Sequence, residues 1–179
     1  MRLLVVAVAA MLLATGAQGA QISAFRYHSS SDGCGGARDC FIITIDGSIG
    51  AGDHTKFREI IQRDKITHAL VDLSSNGGLA VEGLGIGYAI RELGFSTRVM
   101  TVDTCASACA FIWIAGRERY LHGNVGFHTG YLVNAITREI IKDASGQPIR
   151  SNRNIEAYYK HLGLSDLAVH WLTVLALTR

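Results

Sequence analysis

What most constrains this chain is the alternation, between residues 41 and 128, of short continuous apolar runs with segments of helical period. Residues 41–45 form a β-rich run that Asp46-Gly47 ends, and the turn Ile49-Gly50-Ala51-Gly52-Asp53 leads into a short helix expected over 54–62. Residues 69–73 are almost continuously apolar, as in a strand buried on both faces of a parallel sheet. Residues 80–93 repeat Val81, Leu84, Ile86, Tyr88, Ile90 and Leu93 at helical spacing until Gly94 stops them. A third strand is expected over 98–102, a further helix over 106–115, and short strands over 119–121 and 125–128. Such an order reads as right-handed β-α-β crossovers in one α/β domain, whose ligands bind at the carboxyl ends of the strands. Beyond His128 the pattern changes to a polar stretch over 137–153, followed by two short helices near 154–162 and 165–175. No internal repeat and no second domain is visible.

The composition fits this reading. Of 179 residues 49% are apolar and 18% charged, which excludes collagen, coiled coil and long disorder. A net charge of +2 leaves no electrostatic footprint for nucleic acid or for an anionic membrane. Part of the apolar excess lies in the uninterrupted run over 3–13, which follows Met1-Arg2 and precedes Ala14-Thr15-Gly16-Ala17-Gln18-Gly19. The run is shorter than the roughly 20 residues a membrane span needs, and it reads as a signal peptide over 1–19. The small residues Ala17 and Gly19 place the cleavage before Ala20. An uncleaved anchor is the competing reading. The expected location is periplasmic or secreted, with 20–40 an N-terminal loop segment.

Export makes disulfides possible. Cys34 and Cys40 flank Gly35-Gly36-Ala37-Arg38-Asp39, a short polar loop that a disulfide closes easily, and they are the favoured pair. Their spacing is not one of zinc. Cys105 and Cys109, four apart among small residues, are expected as buried free thiols. His54, His68, His122, His161 and His170 show no metal-binding interval, so neither a metal nor a cofactor is expected.

Three features follow one another along the chain: Gly77-Gly78 after a buried strand, Ser107 at the start of a small-residue helix, and His128 at the end of a short strand. Each alone is ordinary: a turn, a packing residue, a core histidine. Together they describe acyl transfer. A serine hydroxyl needs a base, and its tetrahedral intermediate needs two N–H donors aimed at one point. A Gly-Gly turn brings one N–H close with no Cβ in the way, and the amide of Ala108 at a helix start supplies the other.

The segments Leu73-Ser74-Ser75-Asn76-Gly77-Gly78, Cys105-Ala106-Ser107-Ala108-Cys109-Ala110, Ala115-Gly116-x-x-Arg119 and Gly126-Phe127-His128 resemble the ClpP/crotonase superfamily, and within it secreted ClpP-like periplasmic proteins. The resemblance covers residues 41–128 well. It implies an α/β superhelix of β-α-β units in one domain over 41–179, lacking the family's C-terminal part. It also implies a serine hydrolase or peptidase with Ser107 as nucleophile, His128 as base, and the amides of Gly78 (or Gly77) and Ala108 as oxyanion hole. Asn76 stands where the family has proline, and both favour turns. The family's third triad member is an Asp beyond the histidine, and the candidates here are Asp166 and, second, Asp143. Asp166 also suits a helix cap.

Competing assignments are a Ser-Lys dyad drawing on Lys56, Lys65, Lys142 or Lys160, a nucleophilic Cys105 or Cys109, and His122 as base. Without ATP outside the cytosol, the expected substrates are peptides or small acyl compounds, and a homo-oligomer follows from the resemblance. The non-enzymatic alternative is a catalytically incomplete fold of this type used for binding or assembly.

Overall fold

The computed structural model describes residues 19–27, 40–128, 131, 134, 137, 139–149 and 152–173. Seven strands and five helices are found among them: β1 (Gln21–Tyr27), β2 (Cys40–Asp46), α1 (Asp53–Asp64), β3 (Ala69–Ser74), α2 (Ala80–Leu93), β4 (Ser96–Val99), β5 (Thr104–Ala106), α3 (Ala108–Ile114), β6 (Arg119–Leu121), β7 (Asn124–Gly126), α4 (Asn152–His161) and α5 (Asp166–Thr173). A five-stranded sheet runs β1-β2-β3-β4-β6, and β5 pairs with β7 in a second, two-stranded sheet. All pairings are parallel except β1 with β2. Ile43, Ile45, Val71, Leu73 and Val99 are buried in the central strands, as their apolar runs require.

Three expectations are corrected. The segment expected as a loop after residue 20 opens with β1. Its polar and half-exposed Gln-Ile-Ser-Ala-Phe-Arg-Tyr lacks the continuous apolar signature of an inner strand, because an antiparallel edge strand needs one buried face only. The third strand spans Ser96–Val99 and not 98–102: Asp103 N–H donates to the Met100 carbonyl in a turn that leaves Val102 93% exposed. The β-prone Met-Thr-Val imitates a strand there. Finally, residues 104–106 form β5, so α3 begins only at Ala108.

α2 and α3 approach closely because glycines face α3. A Cβ on Gly83 would meet the Ala108 carbonyl at 2.5 Å, and one on Gly87 would overlap the Tyr158 hydroxyl. That hydroxyl donates to the Phe111 carbonyl at 2.6 Å and so ties α4 to one of the last carbonyls of α3. Tyr158 is fully buried, and burial pushes its hydroxyl far above the ordinary tyrosine range, which keeps it a neutral donor. Gly87→Ala must push Tyr158 off Phe111, and a loss of about 2 kcal/mol is expected in urea unfolding. Tyr158→Phe, which removes the hydroxyl and little packing, should cost about 1 kcal/mol.

Candidate active site

Ser107 stands at the break between β5 and α3 with φ +57° and ψ −121°. Among the described residues only Lys65, the C-cap of α1, is another non-glycine with positive φ. Such a backbone is costly for a residue with a Cβ, and a sharp strand-to-helix turn of this kind turns its side chain outward. Hydrogen bonds hold it: Ser107 N–H donates to the Gly126 carbonyl at 2.9 Å, and Ala110 N–H donates to the Ser107 carbonyl at 3.0 Å.

A disulfide closes the same turn. Cys105 and Cys109 are bonded to each other with Cα atoms 5.1 Å apart, and both are fully buried. This corrects the expectation of two free thiols. Four residues of regular helix would carry the two side chains along one axis, but the strand-to-helix turn at Ser107 folds Cys109 back towards Cys105, inside bridging distance. Cys40 is disulfide-bonded as well. Its expected partner Cys34 lies outside the described residues.

The Gly77-Gly78 turn is pressed between this turn and the segment before α1. Ser75 N–H donates to the Thr104 carbonyl at 2.8 Å and Ala106 N–H to the Ser75 carbonyl at 2.9 Å, which lays the exit of β3 along β5. Gly77 and Gly78 then take φ +100° and +149°. A Cβ on Gly77 would lie 2.6 Å from Ser107 Cβ and 3.1 Å from the Ala108 nitrogen, and one on Gly78 would overlap the Ile49 carbonyl. Ile49 N–H donates to the Gly77 carbonyl and Leu79 N–H to the Ile49 carbonyl, each at 2.9 Å. Of the amides expected to stabilise an oxyanion, that of Gly77 already donates to Ser75 Oγ at 3.0 Å. The N–H of Gly78, and that of Ala108 at the first position of α3, donate to no acceptor among the described residues.

His128 is exposed and leaves β7 two residues after Gly126. Because β5 and β7 are parallel, with Ala106 opposite Gly126, Ser107 and His128 emerge from the same ends of the two strands. His122 precedes β7 and belongs to the opposite end, beside Val99 and Met100.

Asp166 is the exposed first residue of α5, whose capping hydroxyl is that of Ser165, accepting Ala168 N–H at 3.3 Å. α5 lines a groove with Trp113 and Ile114 at the carboxyl end of α3, while Ser107 precedes its amino end. Asp143 is engaged in its own loop, where one oxygen accepts the Ser145 hydroxyl and the Ser145 and Gln147 amides. These bonds, the hydroxyl's first, hold its carboxyl below the usual range. Two lysines are engaged elsewhere, Lys56 on the Ala20 carbonyl and Lys160 on Glu156, and Lys65 stands exposed at the end of α1. Lys142 lies exposed in the segment after His128. Among the described residues no three His, Cys, Asp or Glu side chains group to hold a metal, and no helix is long and apolar enough to cross a membrane.

No protein-family model matches the chain, and no curated protein matches it. Among solved structures it is similar to the 1510-N membrane-bound stomatin-specific protease: to a serine-to-alanine mutant with TM-score 0.53 and 17% identity, over 75% of this chain and 69% of that one. A lysine-to-alanine mutant of that protease in complex with a substrate peptide gives the same score and identity, over 75% of this chain and 65% of the other. ClpP1 from Listeria monocytogenes is a more distant likeness, with TM-score 0.41 and 16% identity over 74% and 78%. The chain thus spans about two thirds of that stomatin-specific protease's length. What is shared at such identity is the fold, and it is the ClpP/crotonase-type α/β fold that the sequence resemblance implies.

The disulfide is expected as a Cys105–Cys109 crosslinked peptide in non-reducing mass mapping. Replacing both cysteines by alanine should lower stability by about 2 kcal/mol, the loop-closure value for so short a loop, in urea unfolding.

Proposed function

We propose that the chain is an exported, ATP-independent serine hydrolase of peptidase type, in which Ser107 is the nucleophile and His128 its base. The observation that carries this reading is the parallel pairing of β5 with β7, which sends Ser107 and His128 out at one end while the glycine turn packs against Ser107 Cβ. In the reaction His128 takes the Ser107 proton as Oγ attacks the acyl carbon. The Gly78 and Ala108 amides hold the oxyanion, and His128 returns the proton to the leaving amine. Water then hydrolyses the acyl-enzyme by the same steps. Peptides or small acyl compounds are the substrates proposed. The likeness in fold to a protease that has been seen with a substrate peptide supports that choice. Location outside the cytosol, with the leader over 1–19 removed, and self-assembly belong to the same reading.

One observation favours a second reading. Lys56 and Lys160 are engaged elsewhere, Lys142 lies in the segment that follows His128, and the solved structure with the bound peptide carries a lysine-to-alanine change. A fluorophosphonate probe separates the readings. Wild type is expected to label and Ser107→Ala not to label while keeping its circular dichroism. His128→Ala should slow labelling by about a hundredfold or more, and Lys142→Ala by less than threefold. The reverse pattern for the last two selects the Ser-Lys dyad. Absence of labelling in the folded wild type means a binding or assembly module.

Asp166→Asn should leave the labelling rate within threefold of wild type and cost about 0.3–1 kcal/mol, the value of an acid in the first turn of a helix. A rate loss above tenfold in this variant, at wild-type stability, makes Asp166 the third member of a triad.

A further inference from the structure

Asp53, the first residue of α1, is a carboxylate buried to 4% exposure, and the charges around it do not balance. One of its oxygens accepts two backbone N–H groups, from Ala20 at 2.8 Å and from Gly50 at 2.7 Å. Among the described residues no Lys, Arg or His pairs with it: the nearby Lys56 ammonium donates to the Ala20 carbonyl. A buried carboxylate without a cation is costly, and two neutral amides only partly offset that cost. The nitrogen beside it is that of Ala20, the residue before which the sequence places leader cleavage. The fit on the other side of that bond is tight. A Cβ on Gly19 would meet Asp53 Oδ1 at 2.5 Å, and one on Gly50 would meet Gly19 Cα at 2.7 Å, so the uncut chain fits only because both residues are glycine.

We propose that the Gly19–Ala20 bond is a maturation site whose cleavage completes the active site, the new α-ammonium of Ala20 forming a buried ion pair with Asp53. This rests on the export reading above. A leader-processing peptidase adds water across the amide, Gly19 leaves as a carboxylate, and the Ala20 nitrogen keeps its electron pair and takes a proton. The nitrogen that donated one neutral hydrogen bond to Asp53 then carries a full positive charge at the same place. Asp53 transmits the change through Gly50, whose N–H it holds. The adjoining Ile49 bonds both sides of the Gly77-Gly78 turn, which packs on Ser107. Asp53 is therefore a positioning residue for the oxyanion turn.

The test compares the full chain, exported and processed, with an Ala17→Lys variant that removes a small residue the processing peptidase reads and keeps Gly19 and Ala20. This uncut chain is handled in mild detergent, as is the control. N-terminal sequencing of the processed wild type should begin at Ala20. Cut chain should melt roughly 5–10 °C above uncut chain. Its saturating rate of fluorophosphonate labelling should be at least about tenfold higher, at an unchanged half-saturating probe concentration, as expected when oxyanion stabilisation and not probe binding changes. In the Asp53→Asn background both differences should vanish. A serine inserted between Gly19 and Ala20 moves the amine one residue outward, and it should leave the processed chain behaving like the uncut one. A mature N-terminus other than Ala20 would overturn the proposal. So would equal melting of cut and uncut chain, a difference that survives Asp53→Asn, or wild-type behaviour of the insertion. Melting differences as expected without any labelling support the ion pair and overturn the hydrolase reading instead.

Discussion

The structure depends on the near-contact of three backbones at the Gly77-Gly78 turn. On one side lies Ile49, bonded to the turn through its N–H and its carbonyl; on the other lies Ser107, whose Cβ a side chain on Gly77 would strike. Neither glycine has room for a methyl group, and both have the positive φ that L side chains rarely adopt. Closeness is what the proposed reaction needs. Backbone amides stabilise an oxyanion only within hydrogen-bond reach of where it forms, and a Cβ would hold the chain segments apart. The Ser75 hydroxyl takes the Gly77 N–H, while that of Gly78 donates to no acceptor among the described residues.

The serine is held as firmly as the turn. Its φ of +57° relaxes unless the surroundings over-determine it, and here they do so in three ways. β7 accepts its N–H, the first turn of α3 uses its carbonyl, and the Cys105–Cys109 disulfide ties the strand side of the turn to the helix side. Disulfides persist where thiols are oxidised, which accords with the export proposed above.

The central strands and α2 were legible from the sequence because their apolar periods reflect burial directly. α2 is found at the bounds its periodicity and Gly94 imply, and β6 and β7 lie where short strands were expected, β7 ending earlier. β1 was not legible, since a half-exposed edge strand has no continuous apolar run. The Cys105–Cys109 pairing was hidden for another reason: it depends on a φ that serine seldom adopts, and a helical reading of 106–115 placed the two thiols in line. Gly77, Gly78, Ser107 and His128 are candidates that chain order and resemblance pick out as a set, and the fold adds their placement, whereas which glycine amide is already used depends on the Ser75 hydroxyl, a tertiary detail. Asp53 carried no signal at all. As one acid in a Gly-rich turn it reads as a helix start, and only the fold shows Ala20 against it.

The first turn of α2 explains why these parts move together. Glu82 reaches across to α1, where its two oxygens accept the Gly52 and His54 amides at 3.1 and 2.9 Å and satisfy N–H groups that a helix start leaves open. Leu79 bonds Ile49, and Gly83 sits against the Ala108 carbonyl at the start of α3. One helical turn therefore touches the start of α1, the start of α3 and the glycine turn. A shift at Asp53 reaches Gly50 and Ile49 by hydrogen bonds and the start of α1 directly, and α2 passes both to α3. Small displacements in such a contact set are not absorbed locally, because packed backbone without side-chain cushions has no soft direction to yield in. Such stiffness suits the proposed site, which must hold two amides and a hydroxyl in fixed relation before charge develops, and it is the route by which the proposed charge at the Ala20 nitrogen would act on Ser107.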